Sequence, residues 1–108
     1  MRYYLNLFSI SLTILLIGVP MIASAQSNSL LALDKGCYSC HGDPPRKNIP
    51  AFEQIASRYA QYQGQTNAAA SLAEKLRAQH VFGGINAHEK LTQENALKLV
   101  QWIIEGAK

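Results

Sequence analysis

Downstream of residue 28, apolar positions fall into short helical stripes separated by glycine- and proline-bearing breaks. Ser29 is placed to cap a short helix carrying Leu30, Leu31 and Leu33, which Gly36 ends. Residues 42–50 hold Pro44, Pro45 and Pro50 and predict an irregular loop, with Pro50 placed to open the next helix at its first position. Phe52, Ile55, Ala56 and Tyr59 follow at helical spacing until Gly64 breaks the pattern. A third helix is predicted over 67–79, with Leu72, Ala73 and Leu76 on one face. Residues 81–90 show no period, contain Gly83-Gly84 and predict a loop. Thr92 is a good N-cap for a last helix whose broad apolar face is Ala96, Leu97, Val100, Ile103 and Ile104. No run has the alternation of a strand, so the class is all-α.

The N-terminal stretch has a different pattern. Arg2 gives a positive start, and Leu5 to Ile22 is apolar apart from Asn6, Ser9, Ser11, Thr13, Gly18 and Pro20. Ala23-Ser24-Ala25 is a small-x-small cleavage signature, after which the composition turns polar at Gln26. Residues 1–25 therefore read as a signal peptide and 26–108 as one small domain. A retained membrane anchor is the alternative, since the apolar run approaches bilayer-spanning length; Pro20 and the cleavage signature favour removal, and then no membrane association remains.

Composition narrows the picture only a little. A domain this short buries a modest core and usually needs a staple. The full chain carries +3, and loss of Arg2 lowers that by one, too little to argue for nucleic acid. The basic residues are scattered, with Arg46-Lys47 the one adjacent pair, and read as a solvated surface.

The chemistry sits in Cys37-Tyr38-Ser39-Cys40-His41, which holds both cysteines of the chain. This spacing lets two thiols form thioethers with the two vinyl groups of one haem, and places the adjacent imidazole under the iron as proximal ligand. A redox disulfide would need βαβ patterning, which is absent. A zinc site would need two more ligands, for which His80 and His88 are the candidates. Export, the immediate His41 and the helical pattern argue against zinc, and c-type haem is attached outside the cytoplasm in bacteria. The missing staple is then the haem itself.

These residues give the chain a specific resemblance. A helix precedes the haem motif, Pro50 lies nine residues after His41, Phe52 follows two residues later, and Trp102 sits in the closing helix. The chain resembles the small bacterial class I cytochromes c over nearly all of its mature length. The resemblance implies about four helices around one covalent haem c, held by Cys37, Cys40 and His41, with the Pro50 carbonyl accepting the Nδ1 proton of His41. It implies a periplasmic one-electron carrier, not an enzyme, and a dihaem or multihaem cytochrome c as electron donor.

One feature departs from that family. Its sixth iron ligand is usually a methionine in the loop before the last helix, whereas this chain has only Met1 and Met21. Aligning on His88 and Leu91 puts Ile85 in the methionine slot; counting back from the Trp102 helix puts Asn86 there. With Asn86 as distal ligand the chain resembles the asparagine-ligated, oxygen-binding sphaeroides haem protein type. A neutral amide is a weak donor, so reduction would open the iron to O2, NO or CO, with minor oxygen or nitric oxide reactivity following from the open site. Losing methionine should also lower the reduction potential. The alternative is His88, which would give a low-spin bis-histidine electron carrier with no exogenous ligand; His80, read as lying at a helix end, or an empty position completes the set. Phe82 and Trp102 are expected to pack on the haem or in the core. Tyr59 and Tyr62 read the same way, with a propionate hydrogen bond as the other role.

Overall fold

The computed structural model describes residues 23–108. The expected leader, 1–25, falls almost wholly outside the described residues. Among them the chain is all-helical: α1 (Ala23–Asp34), α2 (Tyr38–His41), α3 (Phe52–Tyr59), a 3-10 turn (Ala60–Tyr62), α4 (Ala68–Arg77), α5 (Asn86–Glu89) and α6 (Gln93–Ile104). Four of these are true helices of eight to twelve residues, and α2 and α5 are single turns of four.

Helix α6 is the organising element because its sequence carries the widest apolar face. Ala96, Leu99, Val100, Trp102, Ile103 and Ile104 are all buried, and α1, α3 and α4 pack against it. Its start is set as expected: Thr92 Oγ1 accepts the Asn95 N–H at 3.1 Å, satisfying one of the donors a helix leaves free. Ala32 of α1, Phe52 and Ala56 of α3 and Ala73 of α4 complete the core with Leu91. The small residues let three helices approach α6 closely. Trp102, the largest fully buried side chain, packs edge-on to Phe52 with ring centres 5.0 Å apart, and its Nε1–H donates to the Lys108 carbonyl at 3.0 Å. A buried indole needs such an acceptor.

Several element boundaries differ from expectation. Helix α1 is already formed at Ala23, the first described residue, so Ser29 lies inside it and does not start it. Pro50 precedes the N-cap of α3, Ala51, instead of occupying the first helical position; the Ala51 N–H is met by Gln54 Oε1 at 3.0 Å. Helix α4 ends at Arg77, two residues early, with Lys75 and Arg77 in its last turn. His80 therefore stands beyond the helix end. The expected loop 81–90 contains the one-turn α5, whose four residues are too few to show a period. Arg77 Nε–H donates to the Leu91 carbonyl at 3.1 Å and joins α4 to the turn between α5 and α6.

Candidate haem site

The Cys-His motif lies in a tight turn built by α1, α2 and the loop that follows. Cys37 N–H donates to Ala32 O at 3.0 Å, and His41 N–H donates to Cys37 O at 2.9 Å. The next residue must be glycine for steric reasons: a Cβ on Gly42 would lie 2.6 Å from the Tyr38 carbonyl oxygen. Arg46 N–H donates to Cys40 O at 2.9 Å and turns the proline-bearing loop back beneath the motif.

That return brings the Pro50 carbonyl 2.7 Å from His41 Nδ1. A carbonyl only accepts, so Nδ1 carries the proton and the Nε2 lone pair is left free for a metal. Phe52 braces the imidazole, with ring centres 5.4 Å apart, and Tyr38 meets the same phenyl ring edge-on at 5.1 Å. Phe52 in turn rests on Trp102. The His41 ring is thus fixed by a hydrogen bond and by a run of aromatic contacts into the core.

Opposite His41 stands His88, on α5. The two imidazoles are nearly parallel, 13° apart, with centres separated by 6.0 Å. Burial, and then the nearby His41, hold the His88 pKa below its ordinary 6.5, so this imidazole is uncharged at neutral pH. Burial likewise pushes the Cys37 thiol above its ordinary 9.0. Neither half-buried group suits a charged state here.

Two cavities meet at these residues. One, of about 260 Å3, runs from Cys37, His41 and His88 to Ile55, Leu99 and Ile103. The other, of about 330 Å3, extends past Cys40, Arg46, Ile49 and Ile85. Both are lined by Cys37, His41, Pro50, His88 and Leu91. Asn86 lines neither cavity; it is exposed at the first position of α5, where its carbonyl accepts the Lys90 N–H. His80 is 60% exposed and contacts Glu89. Tyr59 lines the first cavity and meets Tyr62 edge-on at 5.6 Å. Phe82, expected on the haem or in the core, is outside the core and lines neither cavity: it is 91% exposed, with Val81 beside it at 90%, because the loop after α4 carries both outward.

Comparison with known proteins agrees with this architecture. Cytochrome c-552 of Hydrogenobacter thermophilus is 32% identical over 96 residues, covering 86% of this chain and 93% of the relative. The chain belongs to the class I c-type cytochromes. Cytochrome c-551 of Pseudomonas aeruginosa is 29% identical over 85 residues, 76% of this chain and 79% of its own length. No family model matches the chain, and no solved structure does. As a small monohaem cytochrome c, the protein carries one covalently attached haem c and transfers electrons.

The residues present fit that group. A close-packed interior does not keep apolar voids of this size without a filling partner. The donor chemistry fits as well: the His41 and His88 imidazoles, with ring centres 6.0 Å apart, line both cavities, and Cys37 and Cys40 lie beside them.

Proposed function

We propose that this cytochrome is an exported one-electron carrier in which Cys37 and Cys40 would hold the haem and His41 and His88 would ligate its iron. The observation that carries the reading is the His41–His88 pair. Their ring centres stand 6.0 Å apart with planes 13° from parallel, and both line the two cavities, so these are the side chains that would hold the iron.

Each residue has a defined part. Cys37 and Cys40 would bond the haem as thioethers, and burial already disfavours the Cys37 thiolate in this apolar cleft. Pro50 holds His41 in one tautomer and raises the basicity of Nε2. Phe52, Ile55, Leu91, Leu99 and Ile103 exclude water, which favours the less charged state of the cofactor. The haem supplies a reversible one-electron couple. Two imidazoles in place of imidazole and thioether set its potential below that of a methionine-ligated relative.

Residues 1–25, an apolar run ending in Ala-Ser-Ala, serve as the leader that delivers the chain to the periplasm, where thioether formation takes place. Among the described residues no helix is long and apolar enough to cross a membrane. The partner is another redox protein, a dihaem or multihaem cytochrome c, met transiently. Ligation by Asn86, with O2, NO or CO binding to reduced haem, is the competing reading.

The two separate by substitution. His88→Ala should convert the ferric spectrum from low spin to high spin, while Asn86→Ala leaves it unchanged. The opposite pattern, a spin change in Asn86→Ala alone, overturns the assignment.

A further inference from the structure

The distal loop is tied down by a single carboxyl group. Among the described residues, 79–84 make no backbone–backbone hydrogen bond; the flanking bonds are Ala78 N–H to Lys75 O and His88 N–H to Ile85 O. The segment is held instead by the His80 backbone N–H, which donates to Glu89 Oε1 at 3.1 Å. The same oxygen lies 3.7 Å from His80 Nδ1. The Glu89 side chain is 20% exposed and that of His80 60%, so the loop folds over the carboxyl group. Gly84 makes this closure possible, because a Cβ there would overlap the Glu89 carboxyl oxygen.

Glu89 directly follows His88 on α5. One helical turn has little stability of its own, so its position is set by what grips it. Arg77 secures Leu91, on the far side of α5. On the near side the grip is Glu89. Between loop and helix lies a cavity of about 150 Å3, lined by Leu76, His80, Gly84, Ile85, His88 and Glu89 among others. Lifting the loop would open that flank of His88 to solvent and to small molecules.

We propose that Glu89 is a positioning residue: a latch that accepts the His80 N–H, holds residues 80–84 against α5, and so keeps His88 opposite His41 and excludes diatomic ligands. This inference rests on the His88 reading above. The latch works through a hydrogen-bond acceptor, so a side-chain amide should replace it.

The test is CO titration of the reduced holoprotein, with amide hydrogen exchange at His80 measured in parallel. Glu89→Ala should raise CO affinity and His80 exchange about tenfold, the scale of one lost hydrogen bond to a partly buried acceptor. Glu89→Gln should stay within about twofold of the unaltered protein, because its amide oxygen accepts the same N–H. Gly84→Ala, which displaces the carboxyl group without removing it, should follow Glu89→Ala and carries the test if that variant retains too little haem. Unchanged CO affinity and exchange in Glu89→Ala would overturn the latch, and so would a Glu89→Gln variant as open as Glu89→Ala. If His88→Ala leaves the haem spectrum unaltered, the axial reading fails, while His80 exchange still decides whether the latch exists.

Discussion

The two sides of the haem cleft are built on different principles. On the His41 side, the ring is fixed by the Pro50 carbonyl at 2.7 Å and by Phe52, which stands on buried Trp102, whose indole is itself hydrogen-bonded. On the His88 side, the ligand candidate rides on four residues of helix, next to a segment held through one hydrogen bond and carrying two outward apolar side chains. The first side is over-determined, so one lost contact leaves the others in place. The second has low local stability, the kind of region from which mobile elements are drawn. A cytochrome can thus keep a constant proximal imidazole while the distal position, and the potential it sets, varies with a few residues.

The largest effects should come from the proximal side. His41→Ala should abolish accumulation of haem-loaded protein, read as covalent haem per polypeptide by mass spectrometry. Trp102→Ala should cost about 3–5 kcal/mol in denaturant unfolding of the holoprotein, the usual scale for removing a buried aromatic; a loss near zero would show that the aromatic run does not support His41. A distal change should be spectroscopic first. His88→Ala should leave haem content intact while changing spin state, and equal haem loss in His41→Ala and His88→Ala would erase the asymmetry between the sides. Thr92→Ala, which removes the cap of α6, should cost about 1 kcal/mol.

The smallest effect is electrostatic. The Lys98 ammonium, 2.6 Å from Glu94, holds that carboxyl below its ordinary 4.5, first by hydrogen bonding and then by charge. A pKa lowered by folding stabilises fully above 4.5 and is lost as pH falls through the lowered value. The pair is exposed and screened by solvent. Glu94→Gln should therefore lower Tm slightly at neutral pH and not at all in strong acid, and a loss that persists in acid would assign the effect to helix propensity.

Much of the fold was legible in the sequence because the features concerned are local. The Cys37–His41 spacing, the Thr92 cap and the apolar face of α6 each need only a few neighbouring residues. The His41–Pro50 contact followed from family resemblance, and the geometry contains it. Other features were illegible for physical reasons. Helix α5 is one turn and shows no period, and Ser29 suits a cap as well as the interior of a helix that starts earlier. Phe82 is apolar and was expected inside, but its burial depends on the path of a loop that local propensity does not determine. The methionine slot fell on Ile85 or Asn86 in a register ambiguous by one residue, and His88 stood as a separate candidate that spacing alone could not rank. The three-dimensional path places His88 on the cleft and Asn86 on the surface. The Gly84–Glu89 contact joins residues with no pattern in common.

The central claim, an iron held between His41 and His88, is tested most directly by the optical spectrum of the purified haem protein: oxidised, reduced, and reduced with CO. Sharp low-spin bands are expected in both oxidation states, with no shift at CO concentrations that saturate an open haem and a shift only at much higher CO. High-spin bands in the oxidised protein, with a clear CO shift after reduction, would contradict it.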